Sequence, residues 1–110
     1  MDISVNTRHM DASESVKAHV EAKVSKLSHF YDNIQDIEVI LDKEADKFVV
    51  EIIAHARMKH TFVASHHDDN MYACIDMCLD KISQQLRRHK DKVRDRQGPS
   101  HGKAVETAEQ

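Results

Sequence analysis

The 110-residue sequence predicts an α+β domain: a two-layer sandwich in the order β-α-β-β-β-α, with a four-stranded sheet and both helices on one face. Four short segments alternate apolar and polar residues with the period of two that a half-buried strand requires. Two others repeat apolar residues at helical spacing as a single stripe, so each has one face to bury. One crossover through the first helix and two hairpin connections link these segments. Laying both helices on the covered side of the sheet is then the economical packing, and it leaves the other side wet.

Ile3 and Val5, set between Asp2, Ser4 and Asn6, form the first strand. Asp11 followed by Glu14 resembles a capping box. Ala12, Val16, Val20, Val24 and Leu27 then predict an amphipathic helix over residues 12 to 28. Beyond Phe30-Tyr31-Asp32-Asn33, the alternation of Ile37, Val39 and Leu41 with Glu38 and Asp42 gives a second strand, closed by a polar turn from Lys43 to Asp46. Phe48, Val50, Ile52 and Ala54 give a third. Thr61, Val63 and Ser65, alternating with Phe62 and Ala64, give a fourth, reached through a glycine-free turn near Ala56 to Lys59. Asp69 or Asn70 is placed to cap a long last helix with the stripe Met71, Ile75, Leu79, Ile82 and Leu86, and Val93 as an outlier. From 70 to about 95 that helix would be roughly 39 Å long, so its last turns should protrude from a domain of this size. Gly98-Pro99-Ser100 should stop it. The division expected is a folded domain at 1–96 and a disordered polar tail at 97–110.

Composition removes several classes. With 40% apolar, 32% charged and 5% aromatic residues, the chain fits one soluble domain, and Gly 2 and Pro 1 exclude collagen-like and low-complexity sequences. The longest apolar run, Met71 to Ile75, falls far short of the roughly twenty residues of a membrane-spanning helix. The first residues show no secretory leader, and Cys74 and Cys78 alone make no disulfide framework, so a cytoplasmic protein without membrane contact is expected.

The net charge of −3 hides a strong polarity. Residues 81 to 96 hold seven basic side chains against Asp91 and Asp95, a net +5, whereas the rest holds nine basic and seventeen acidic, a net −8. A cationic segment on an anionic body suits a local polyanion contact, because Lys and Arg release the counterions condensed on phosphates. Cations completing the macrodipole of a helix C-terminus account for two or three of the seven. On a wheel of about 100° per residue centred on Ile75, Lys81, Arg88 and Lys92 fall near 220 to 260° and Arg87, Lys90 and Arg94 near 60 to 120°, two ridges flanking the buried stripe. In the first helix Lys23 and Lys26 flank the stripe as well, so with the helices side by side a basic ridge from each could line one groove for a phosphate backbone. The competing reading is that these side chains snorkel, burying their stems at the rim of the core. Tyr72 is the only aromatic residue of the last helix, so recognition by RNA shape and phosphate is favoured over base stacking.

The stretch Asp69-Asn70-Met71-Tyr72-Ala73-Cys74-Ile75-Asp76, then Leu79-Asp80-Lys81-Ile82 and Gln85-Leu86-Arg87-Arg88-His89-Lys90-Asp91-Lys92, resembles the final helix of the bacterial ribosome hibernation-promoting factor, or ribosome-associated inhibitor, family. Ala22-Lys23-Val24-Ser25-Lys26-Leu27 resembles the end of that family's first helix, and the likeness covers about residues 1 to 95. It is to the short members, expected to lack the extra C-terminal domain of the long ones. The resemblance implies a factor that binds the small ribosomal subunit and its 16S rRNA in the channel for messenger and transfer RNA, silences idle ribosomes in stationary phase or stress, and is a monomer when free. By position, the RNA-contacting residues it implies are Lys23, Lys26, Lys81, Arg87, Arg88, Lys90, Lys92 and Arg94. Cys74 and Cys78 depart from the small or apolar residues usual there.

No catalytic residue, cofactor or metal ligand is assigned. His66 and His67 on one strand point to opposite faces, and the single pair Cys74 and Cys78 has no second pair at an established metal spacing. Asp76 and Asp80 share a helix face without any sign of a pocket, and both glycines lie in the tail, where no phosphate loop can form. Enzyme function is therefore not expected. A general double-stranded-RNA module and a protein-interaction regulator of transcription are the alternatives.

Overall fold

The structure, a computed structural model, describes residues 2–29 and 33–95, without the side chains of 28, 29 and 91–95. The expectations for Phe30 to Asp32, for the stop at Gly98-Pro99-Ser100 and for the 97–110 tail lie outside the described residues. The elements are β1 (Asp2–Arg8), α1 (Glu14–Val24), β2 (Ile34–Glu44), β3 (Lys47–Ala56), β4 (Thr61–Asp68) and α2 (Met71–Asp95). The sheet order is β1-β2-β3-β4, with β1 parallel to β2 and the other neighbours antiparallel. Register places Ile3 beside Ile37 and Val5 beside Val39, and Val39, Ile52 and Ala64 abreast, so one sheet face gathers apolar residues from all four strands. Both helices cover that face. The core joins Ile37, Val39, Leu41, Val50 and Ile52 of the sheet to Val20 and Val24 of α1 and to Ile75, Ile82 and Leu86 of α2.

The first helix differs from its expectation at both ends. Ser13, not Asp11, is its N-cap, with the Ser13 hydroxyl oxygen accepting the Val16 N–H at 3.2 Å. Its α-helical part stops at Val24 and residues 25–29 continue as a 3₁₀ turn. At three residues per turn Leu27 lies directly behind Val24, and both are buried, so tightening the chain keeps the apolar stripe on the core. The Ser25 hydroxyl assists by donating to the Ala22 carbonyl at 3.0 Å.

Cys74 and Cys78 fix how closely α2 approaches the sheet. Both are fully buried, and each thiol lies between a carbonyl of β3 and one of β4: Cys74 Sγ is 3.5 Å from Phe48 O and 3.0 Å from His66 O, and Cys78 Sγ is 3.4 Å from both Val50 O and Ala64 O. A thiol is small enough for this gap and is a weak donor to the carbonyls facing it. Burial pushes both thiols up, Cys78 to about 12. A raised thiol value means that the unfolded chain ionises first. Stability contributed by the buried thiols is thus complete below about pH 9 and declines as pH climbs toward 12. The expected result is that neither thiol reacts with an aromatic disulfide reagent at pH 8 in the folded protein, whereas both react in denaturant; a fast-reacting thiol in the native protein would contradict the packing.

The open face of the sheet is acidic. Asp36, Glu38, Asp42 and Glu44 of β2 and Glu51 of β3 project there, with Ile40 buried among the polar neighbours. Asp42 is buried as well, with His9 Nδ1 at 2.9 Å and the Lys43 N–H donating to it at 2.7 Å. Those contacts, His9 foremost, hold its carboxyl below the usual carboxylate range.

Candidate nucleic-acid interface

α2 begins where Asn70 caps it. The Asn70 side-chain oxygen accepts the Ala73 N–H at 3.0 Å, and its backbone carbonyl accepts the Cys74 N–H at 2.9 Å. Its buried positions then recur as Met71, Cys74, Ile75, Cys78, Leu79, Ile82 and Leu86. Leu86 is the last side chain of the helix buried in the core among the described residues, and Arg87, Arg88 and Lys90 beyond it are exposed. The helix continues to Asp95, about 37 Å from end to end, along a molecule measuring 50 × 26 × 19 Å. Its cationic turns thus project past the core, as the length of the helix predicts.

The two flanks of α2 differ. On one, Lys81 Nζ donates to the Ser65 carbonyl at 2.8 Å and Gln85 Nε2 to the Val63 carbonyl at 2.8 Å. Both carbonyls belong to β4, an edge strand, so these side chains satisfy acceptors that would otherwise offer a pairing edge. Lys81 keeps donors to spare for a phosphate while it clamps the helix to the sheet. On the other flank α1 lies alongside in the same chain direction, with His19 against Tyr72 and Asp76, and Leu27 beside Leu79. Lys23 and Lys26 line the intervening groove, but Asp76 and Asp80 face them, and Lys23 Nζ lies 4.0 Å from Asp76 Oδ1. A common groove lined by one basic ridge from each helix, as the helical wheel suggests, is therefore not formed there, because α2 presents Asp76 and Asp80 to it. A helical wheel fixes which residues flank a stripe but not which turns of two helices come level, and here the level turns of α2 are its acidic ones.

The structure gathers Arg87, Arg88 and Lys90 within about one turn of one projecting helix end, with Lys81 on the same helix about two turns earlier. Lys23 and Lys26 stand apart, in a groove of mixed charge. The backbones of Lys92 and Arg94 continue α2, and their side chains lie outside the described set. With the acidic sheet face on the opposite side, a polyanion is repelled from one face and drawn to the helix end. β4 runs through Asp68, so His66 and His67 remain on opposite faces, and among the described residues no group of three or more His, Cys, Asp or Glu side chains is arranged to hold a metal ion. Among the described helices none is long and apolar enough to cross a membrane.

A further set of side chains is adjacent to this helix end. His60 and Phe62 of the β3–β4 region meet His89 of α2, with ring centroids 4.6 and 5.2 Å away. This brings the turn carrying Arg57 and Lys59 beside the basic segment. The only hint of it in the sequence is the cationic, glycine-free turn itself.

The fold defines the class first: a four-stranded α+β sandwich shared with a solved ribosomal subunit interface protein from Coxiella burnetii. That match has a TM-score of 0.77 at 24% identity and covers 83% of this chain and 99% of that one. The N-terminal domain of Thermus thermophilus Protein Y has the same fold, with a TM-score of 0.72 at 23% identity over 81% and 99% of the two chains. Residues 3–94 match the model of the Sigma 54 modulation protein / S30EA ribosomal protein family, and the chain belongs to that family. It is 32% identical to a ribosome hibernation promoting factor of Azotobacter vinelandii over 97 residues, covering 88% of this chain and 90% of that protein. It is 29% identical to that of Escherichia coli K12 over 94 residues, covering 86% and 98%.

Proposed function

We propose that this protein is a ribosome hibernation factor. It binds the small ribosomal subunit in the channel for messenger and transfer RNA, with the cationic end of α2 against 16S rRNA, and inhibits translation in stationary phase or stress. On this reading it acts in the cytoplasm and is a monomer when free. The observation that carries the proposal is the exposed run Arg87, Arg88 and Lys90 on a helix that has already left the core at Leu86, in a chain of a family whose relatives are named for ribosome hibernation. Lys81, Lys92 and Arg94 of the same helix complete the proposed contact surface, and Lys23 and Lys26 are proposed as a separate RNA contact from the mixed-charge groove. Projection matters because a phosphate backbone must approach each cation without the acidic sheet following it into contact.

The test is a sucrose gradient of ribosomes with and without the protein. The expected result is co-sedimentation with small subunits at low salt. For about four phosphate contacts, affinity should fall roughly a hundredfold between 50 and 200 mM salt. Absence from the small-subunit fraction at low salt would reject the proposal. Equal displacement by a generic RNA duplex would instead identify a general double-stranded-RNA module.

A further inference from the structure

The turn between β3 and β4 is built against the preferences of its backbone. Met58 has φ 63° and ψ 28°, and Lys59 has φ 62°, so two consecutive non-glycine residues occupy the left-handed region. Asn-Gly would supply two consecutive residues of positive φ at little steric cost, which Met-Lys does not. Backbone held in this region against the preference of its side chains is a mark of functional positions. The side chains displayed there contribute nothing to the core: Met58 is 84% exposed, and Arg57 and Lys59 are exposed on either side of it. Among the described residues no carboxylate forms an ion pair with Arg57 or Lys59, in contrast to Lys23 with Asp76 and Lys47 with Asp69.

The tip is nevertheless held firmly. The Arg57 N–H donates to the Asn33 carbonyl at 3.1 Å, and the Ala56 N–H donates to the His60 carbonyl at 2.8 Å. His60 and Phe62 pack on His89, which lies between Arg88 and Lys90 in α2. The ring cluster therefore ties the hairpin tip to the helix segment that carries the cations, and makes one continuous edge of the two.

We infer that Arg57-Met58-Lys59 is a second RNA-contacting element, in which Arg57 and Lys59 take phosphates and Met58 packs against an unpaired base, so that RNA is gripped between the hairpin tip and the end of α2. The inference rests on the function proposed above and adds to it a site in a different element. An exposed apolar side chain between two cations matches the chemistry of a nucleic-acid strand, whose phosphates are charged and whose base faces are apolar. Apolar side chains, Met among them, serve as wedges at base steps in other nucleic-acid complexes.

Two variants of the full chain test it against small ribosomal subunits, with melting temperature and the salt dependence of affinity read for each. R57S/K59S removes two phosphate contacts. It should bind roughly twentyfold more weakly at 0.15 M salt, with a salt slope shallower by about two units. M58N/K59G installs the residues the turn prefers, so it should melt at a higher temperature than the wild type yet bind at least about fivefold more weakly. A merely structural turn would give the higher melting temperature with affinity and slope unchanged. Wild-type protein that binds subunits, together with variants that bind as it does, overturns the role of the tip alone. Wild-type protein that fails to bind overturns the proposed function and the tip with it.

Discussion

Reversing Arg87, Arg88 and Lys90 to Glu is expected to abolish measurable association with small ribosomal subunits at physiological salt while leaving the domain folded. The salt slope of counterion release makes each phosphate contact worth roughly fivefold at 0.15 M salt, so losing three costs about a hundredfold, or about 2.7 kcal/mol. Three new carboxylates facing phosphates add repulsion to that loss. The fold should survive because all three side chains are exposed and lie beyond Leu86, where surface substitutions usually change stability by less than about 0.5 kcal/mol. The same net change in charge placed at Lys17, Lys43 and Lys47, three exposed lysines on other elements, separates a local contact from a general effect of charge. That control should lose far less affinity than the triple reversal. Equal losses in the two variants, or full binding by K90E/R88E/R87E at unchanged salt slope, would show that the helix end is not the contact.

The parts of the fold and site that could be read from sequence are those set by local periodicity. Ile37, Val39 and Leu41 alternate because one sheet face is buried, and Met71, Ile75, Leu79, Ile82 and Leu86 recur because one helix face is; both patterns reappear as burial. The projection of α2 followed from arithmetic on helix length alone. Features that depend on tertiary contact were hidden. The 3₁₀ turn at residues 25–29 arises from the need to bring Leu27 onto the core behind Val24, which no capping signal announces. Asp76 faces Lys23 because α1 and α2 run level at that turn, a fact of relative placement. The His60, Phe62 and His89 cluster joins residues 29 positions apart, and its turn carries none of the Gly or Asn that mark a tight hairpin. Lys81 illustrates both sides: its flank was readable from the wheel, but its bond to the Ser65 carbonyl, which makes it a clamp on an edge strand, was not.

Truncating Leu86 to Ala should reduce stability and binding together, and by a large amount. The side chain is fully buried and is the last to anchor α2 in the core among the described residues. Removing it takes away transfer energy and leaves a cavity, typically about 2–5 kcal/mol for a buried Leu, against a total near 5–15 kcal/mol for a domain of this size. For a domain of roughly a hundred residues that corresponds to a fall in melting temperature on the order of 10–25 °C. The consequence for function is mechanical. Arg87, Arg88 and Lys90 follow Leu86 immediately, so a helix that frays from that point no longer presents its cations in a fixed array, and ordering them again on RNA costs conformational entropy. L86M, which keeps the volume and the apolar character, should lose less than about 1.5 kcal/mol and retain binding. Thermal melts and subunit binding measured on both variants, at a temperature where each is folded, check the linkage. If L86A melts far below the wild type yet binds at full affinity when folded, the rigidity of the helix end has no part in recognition, and the cations act as a flexible tether.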